Sequence, residues 1–159
     1  MAVQDVLQFG DAKLREKCRP VGPEGPDPQL LDDLRDTLKH IQAREGRGRG
    51  IAAPQINCLV RAVYINTPAW EGFLINPEMV ERSGETFEVM DSCFSAALAF
   101  FGPVLRHRRV KVRFRDANMN QREETFQEGL SELIQHEVDH LDGVLFIDHL
   151  TDPSRIVTR

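Results

Sequence analysis

The chain has 159 residues, and 41% of them are hydrophobic, which is enough to form the core of one globular domain spanning residues 1–159. Its formal net charge of -5 and the lack of a nucleic-acid motif exclude an electrostatic affinity for nucleic acid. Its apolar stretches all fall short of the roughly 18 residues that a membrane span requires, so we expect no membrane association either.

A loop rich in proline and glycine, residues 20–28, precedes the first predicted helix. Asp27 is placed to cap that helix and Pro28 to open it. Apolar residues at helical spacing supply a stripe that faces the core: Leu30, Leu31, Leu34, Leu38 and Ile41. Short strands are predicted for residues 61–65, 73–76, 80–87, 109–115 and 123–127, followed by a second helix. This order predicts an α+β fold with antiparallel sheets around one central helix.

Residues 48–55 read Gly-Arg-Gly-Ile-Ala-Ala-Pro-Gln, a segment of small residues that ends in an amide side chain. The glycines permit a close backbone approach, and the alanines leave space beside it. A phosphate-binding loop would need a following Gly-Lys-Ser/Thr, which Pro54 and Gln55 do not supply. The Gln55 amide can instead donate a hydrogen bond to a developing oxyanion.

The chain contains three cysteines, and Cys93 is distinguished by its surroundings. It lies within Asp-Ser-Cys-Phe-Ser, where small polar neighbours can expose its sulfur. Cys18 and Cys58 lack such a setting and are interpreted as ordinary free thiols. So few cysteines indicate a reducing compartment.

A basic run covers residues 106–113, and from Arg109 onward its charged residues alternate with apolar ones. This alternation predicts the solvent-exposed face of a strand rather than a binding surface.

Residues 135–140 read Gln-His-Glu-Val-Asp-His and are predicted to lie on the second helix. Because a helix turns about 100° per residue, His136 and His140 would share one face and could chelate one divalent ion. An apolar stripe supports the helix and encloses Glu137, which therefore points inward as a base; it comprises Leu130, Leu133, Ile134, Val138 and Leu141. Four polar residues are expected on the opposite side, namely Glu132, Gln135, Asp139 and Asp142, and Gly143 is expected to end the helix.

A third metal ligand is required, and it is expected upstream of the helix. The pattern His-Glu-x-x-His-x-x-Gly-x-x-His fails at its last position, which is Phe146. Only 19 residues follow His140, and they offer no second long helix that could supply a ligand. The upstream candidates are Cys18, Cys58, Cys93, His40 and His107, of which Cys93 has the most suitable surroundings.

Together these segments resemble the peptide deformylase family, which carries Gly-x-Gly-hydrophobic-Ala-Ala-x-Gln, Glu-Gly-Cys-Leu-Ser and Gln-His-Glu-x-Asp-His in this order. The first and third motifs are met in full, and the likeness spans nearly the whole chain. The second motif departs from the pattern, since Asp91, Ser92 and Phe94 replace Glu, Gly and Leu. The usual Val-Pro-Gly continuation is replaced by residues 96–98, Ala-Ala-Leu. Because Asp91 is shorter than Glu, a hydrogen bond from it to a ligand histidine is expected to need a backbone adjustment.

The resemblance implies a metallohydrolase acting on a linear amide bond. Cys93, His136 and His140 would bind one divalent ion, with ferrous iron as the native metal and zinc, nickel or cobalt as alternatives. Glu137 would take the proton of a water molecule that attacks the formyl carbon. The Gln55 amide and the Phe94 backbone N–H would hold the oxyanion, and formate would be released.

The resemblance further implies that the substrates are N-formylated nascent peptides beginning with methionine. Gly50 would offer backbone hydrogen bonds, and Leu133 would form a wall of the methionine pocket. Arg49 would lie at the mouth of that pocket, where the family usually has an apolar residue. It could favour an acidic or polar substrate, and the alternative is an ordinary solvated loop arginine. The likeness begins within the first ten residues, which favours the bacterial-type cytoplasm, and a transient contact with the ribosome is expected even though the extended C-terminal helix of many deformylases is missing.

Two other functions are compatible with the sequence. The altered second motif could adapt a deformylase-fold hydrolase to another small N-formyl or N-acyl substrate. An inactive metal-binding paralogue is the other alternative, and the presence of both Glu137 and Gln55 argues against it.

Overall fold

Two α-helices and eight β-strands form the fold in a computed structural model that describes residues 3–96 and 100–158. The replaced residues Ala97 and Leu98 of the second motif lie outside this part of the chain. The helices are α1 (Pro28–Glu45) and α2 (Glu128–Leu141). The strands are β1 (Gly50–Ala52), β2 (Ala62–Asn66), β3 (Glu71–Arg82), β4 (Thr86–Asp91), β5 (Phe100–His107), β6 (Arg109–Arg115), β7 (Gln121–Gln127) and β8 (Val157–Thr158).

The strands form two antiparallel sheets, so the predicted α+β fold is confirmed. One sheet has five strands in the order β1-β2-β3-β6-β7, and the other has three in the order β4-β5-β8. Alternate residues of the large sheet point to opposite faces. One face packs against α2 through residues such as Val63, Leu74 and Val112, and the other packs against α1 through residues such as Tyr64 and Phe73.

Helix α1 begins where its sequence predicts. The Asp27 carboxylate accepts a hydrogen bond from the Gln29 N–H at 2.9 Å, and Pro28 occupies the first helical position. The helix ends at Gly46, whose φ of 67° is a left-handed conformation that favours glycine.

Helix α2 is central, and it is buried on more sides than its polar pattern predicts. Glu132 and Gln135, expected on a polar side, are both buried. Gln135 is buried because it bridges α2 to the end of β5, accepting from the His107 N–H at 3.0 Å and donating to the His107 carbonyl at 2.8 Å. Asp139 is partly buried, and only Asp142 among the four is exposed.

The predicted strands differ from the observed ones in several places. Residues 73–76 and 80–82 belong to one strand, β3, which runs unbroken from Glu71 to Arg82, whereas residues 86 and 87 begin β4. The register of β3 against β6 shifts between Ile75 and Glu78. Strands β1 and β8 were not predicted. Strand β5 was not predicted, since its Gly102 and Pro103 are typical of loops. No helix among the described residues is long and apolar enough to cross a membrane.

Candidate active site

Three side chains from two distant segments meet at one point. Cys93 lies in the loop after β4, whereas His136 and His140 lie one turn apart on α2. Their ligand atoms all lie within 4.8 Å of one another, and all three residues are buried. The Cys93 Sγ is 3.3 Å from the His140 Nε2. The structure therefore brings together the two motif histidines and the cysteine with the most suitable surroundings.

The other upstream candidates for a third ligand lie outside this group. Cys18 is buried, and its backbone N–H bonds the Leu141 carbonyl at 2.8 Å. His40 is exposed on α1, and the His107 ring contacts the Ser83 carbonyl at 2.8 Å.

The donor set and its surroundings fit a divalent metal ion. A thiolate and two imidazoles match the donors that zinc and ferrous iron accept in proteins. The Glu137 side chain is buried beside them, with its Oε1 3.9 Å from the His136 Nε2. Its Oε2 is buried with no hydrogen-bond partner among the described residues. Burial raises the pKa of Glu137 to about 7. A buried and unpaired carboxylate oxygen is costly, so a site holding an ion and its water explains it.

Asp91 holds His136, one of the two motif histidines, in a fixed orientation. Its Oδ2 accepts a hydrogen bond from the His136 Nδ1 at 3.0 Å, which leaves the Nε2 of that ring for a metal. The carboxylate thus reaches the histidine at an ordinary hydrogen-bond length despite being shorter than Glu. Burial by itself would raise the pKa of Asp91, but His136 and Arg106 together hold it below its usual range.

Arg106 supports this arrangement, and it differs from the alternating residues that follow it in the basic run. Arg109 and Arg113 are exposed as expected. Arg106 is buried instead and donates to Asp91 at 2.9 Å and to Asp139 at 2.8 Å. Sequence alternation begins only at Arg109, so no pattern in the run separates Arg106 from its neighbours.

Gln55 faces the cluster in one defined orientation. Its Oε1 accepts the backbone N–H of Ala52 at 2.9 Å. Because a backbone N–H can only donate, the Nε2 must point the other way. It lies 3.5 Å from the Cys93 Sγ and 3.2 Å from the Ser95 Oγ. The segment from Gly48 to Gln55 therefore presents an amide donor at the cluster.

Phe94 forms a second boundary of the site. A Cβ built on Gly48 would lie only 2.5 Å from the Phe94 Cζ, so the ring occupies the space that the glycine leaves. The Arg47 guanidinium lies over the same ring at 5.5 Å from its centroid.

A cavity of about 290 Å³ opens beside the cluster. Its walls include Gln55, Cys93, Phe94, His136 and Glu137, together with the expected substrate-binding residues Arg49, Gly50 and Leu133. A Cβ on Gly50 would lie 3.2 Å from both the Glu137 Cγ and the Leu133 Cδ1, a tight contact, so glycine favours the close approach of β1 to α2 here. The Arg49 guanidinium is paired with Glu132, which sequence reasoning had placed away from the site.

A family model described as polypeptide deformylase matches residues 3–155. The chain belongs to the peptide deformylase family. A peptide deformylase of Heliobacterium modesticaldum is 38% identical over 97% of this chain and 98% of its own length. The crystal structure of the Thermotoga maritima deformylase has a TM-score of 0.84 at 29% identity, covering 94% of this chain and 99% of that one. A class I type b deformylase of Acinetobacter baumannii, bound to Met-Ala-Ser, has a TM-score of 0.81 at 29% identity, covering 94% and 100%.

The resemblance drawn from the three motifs is thus confirmed over nearly the whole chain. A deformylase is a hydrolase that uses a metal ion to remove the N-formyl group from nascent peptides. This chain is an enzyme of that kind, and its Cys93, His136 and His140 form a group that could hold a metal ion, with both histidines on the central helix α2.

Proposed function

We propose that this deformylase acts on peptides beginning with formylmethionine, with Cys93, His136 and His140 as metal ligands and Glu137 as the group that carries the proton. The observation that carries the proposal is the buried Glu137 carboxylate, whose Oε2 has no partner in the described chain, beside three ligand atoms within 4.8 Å of one another. A divalent ion held there lowers the pKa of water and polarises a carbonyl oxygen.

In the proposed reaction Glu137 takes a proton from the attacking water. The water oxygen bonds to the formyl carbon, and the carbonyl oxygen becomes an oxyanion. The Gln55 Nε2 and the Phe94 backbone N–H donate to that oxygen. Glu137 then delivers the proton to the amide nitrogen, the C–N bond breaks, and formate and a free amino terminus leave. Burial supports this role, because it raises the pKa of the Glu137 carboxyl above its usual range, and a base needs a raised pKa to hold a proton between two transfers.

The peptide is proposed to lie along β1. This strand is at the end of the five-stranded sheet, so one of its edges faces no other strand in the described chain. An extended peptide can add to such an edge through backbone hydrogen bonds, with Gly50 as the contact nearest Glu137. The methionine side chain would enter the cavity beside Leu133 and below Arg49. The A. baumannii deformylase bound to Met-Ala-Ser supports a peptide of this length as ligand.

We further propose ferrous iron as the native ion, because the family works with it, although zinc, nickel and cobalt suit the same donors. Metal analysis after anaerobic purification distinguishes them. We also propose that the enzyme is cytoplasmic and contacts the ribosome transiently, because its substrates are nascent chains. All three cysteines are free thiols, which fits a reducing compartment.

The decisive experiment measures formate release from formyl-Met-Ala-Ser by the iron-loaded protein. Glu137→Gln keeps the side-chain shape but cannot accept a proton, and we expect kcat to fall by about 10²–10⁴-fold with metal content unchanged. Glu123→Gln, on the sheet surface, is the matched control and should retain full activity. Inactivity of the wild-type protein at full metal occupancy would contradict the proposal. It would favour another N-acyl substrate or an inactive paralogue.

A further inference from the structure

One wall of the active-site cavity carries an ion pair rather than apolar side chains. The Arg49 Nη2 lies 2.5 Å from the Glu132 Oε1. Its Nη1 donates to the Gly129 carbonyl at 3.4 Å, so the guanidinium is anchored to the first turns of α2 at two points. The side chain of Glu132 is only 9% exposed, whereas that of Arg49 is 48% exposed. Both residues line the cavity that contains Cys93 and Glu137.

Arg49 and Glu132 line the same cavity as Glu137, which the formyl carbon must reach. Gly50 and Leu133 line it too, together with residues of other segments such as Met90. In the proposed pose, with the side chain of the formylated residue beside Leu133, that side chain meets the pair. A thioether, as in methionine, is only a weak acceptor, so it displaces water from the two charges without replacing their hydrogen bonds.

A carboxamide at the end of an unbranched side chain has the complementary groups. Its N–H donates to the Glu132 carboxylate, and its carbonyl oxygen accepts from the Arg49 guanidinium. Glutamine has this group at about the length of methionine. A lysine side chain would face the Arg49 charge and a glutamate side chain the Glu132 charge, so each would add a charge that the pair does not balance.

We propose that Arg49 and Glu132 determine the side-chain specificity of this enzyme and extend it from methionine to an unbranched side chain ending in a carboxamide. This inference rests on the proposed function, since it concerns the first residue of an N-formylated peptide. The pair acts on binding of the side chain and takes no part in the proton transfers.

The test compares kcat/KM for formyl-Gln-Ala-Ser and formyl-Met-Ala-Ser in three metal-loaded proteins. They are the wild type, the double variant Arg49→Leu/Glu132→Leu, and the control Lys111→Leu/Glu123→Leu. The control removes an ion pair with the same net charge from the sheet surface, away from the cavity. We expect the ratio of glutamine to methionine activity to fall at least about tenfold in the first double variant, because hydrogen bonds to charged groups are lost. The ratio should stay unchanged in the control.

A second measurement does not depend on turnover. Isothermal titration of the products Gln-Ala-Ser and Met-Ala-Ser into each protein should show the same change in the ratio of affinities. Glu132→Gln preserves the side-chain shape and gives a third variant, with a smaller fall in the ratio expected, should the double variant fail to fold. The inference would be overturned if the folded Arg49 and Glu132 variants deformylated formyl-Met-Ala-Ser and had the same ratio of glutamine to methionine activity as the wild type. Failure to deformylate either peptide would instead overturn the proposed function, and this inference with it.

Discussion

Replacing Arg106 with methionine should destabilise the protein strongly, although the residue touches neither substrate nor metal ligand. Arg106 is 4% exposed and bonds Asp91 at 2.9 Å and Asp139 at 2.8 Å. Methionine can fill most of the volume, so the main effect is the Asp91 carboxylate left buried without its cationic partner. Breaking one side of a buried ion pair costs about 3–5 kcal/mol. Because Asp91 also holds His136, we expect metal affinity to fall by about 10–100-fold as well.

Urea denaturation of metal-loaded and chelator-treated protein measures the first effect, and competition with a metal indicator measures the second. Arg44→Met is the matched control, because its side chain is 63% exposed and its pair with Glu45 spans 3.5 Å. Such surface pairs contribute less than about 1 kcal/mol. If Arg106→Met also cost less than about 1 kcal/mol in both states, the reasoning that the Asp91 carboxylate depends on Arg106 would be refuted.

Three further predictions concern a close approach, a helix cap and the metal. Gly50→Ala should lower the unfolding free energy measured with urea by about 1–3 kcal/mol and reduce formate release, because the new Cβ would lie 2.9 Å from a β2 side chain. Gly84→Ala is the control and should leave the unfolding free energy unchanged, since the space around Gly84 is open. Asp27→Ala should lower the unfolding free energy by about 0.5–2 kcal/mol through loss of the α1 cap, and an unchanged midpoint would contradict this. Cys93→Ser should lower metal affinity at least about tenfold by metal analysis, whereas Cys58→Ser should leave it unchanged.

Both helices and the two histidines of the candidate metal site could be predicted from local patterns, and the surroundings of Cys93 distinguished it among the upstream candidates. Caps and apolar spacing act within a few residues, so α1 and the orientation of Glu137 follow directly from the sequence. The buried state of Glu132 and Arg106 could not be predicted in the same way. Each is a charged side chain whose ion-pair partner comes from another segment of the chain. The spacing of polar and apolar residues within one helix or strand does not show whether another segment covers its polar face. Their burial depends on tertiary pairing.

Strands β1 and β5 were missed for a related reason. Strand β1 has three residues, too few for any alternation, and it is identified only by its pairing with β2. In β5 the Gly-Pro step suggests a loop, yet the strand persists because β4 pairs along its length. Pairing with a neighbouring strand therefore stabilises both strands, despite the shortness of β1 and the Gly-Pro step in β5.

The proposed metal ligands lie far apart in the sequence, with Cys93 43 residues before His136. An ion bound by all three side chains would close a loop containing the whole of β5, β6 and β7, and so act as a reversible cross-link in the chain. Such a link restricts the unfolded chain much more than the folded one. Removing the ion would therefore do more than stop the reaction. It would remove the cross-link between the small sheet and the central helix. Metal supply in the cell would therefore also affect the lifetime of the folded protein.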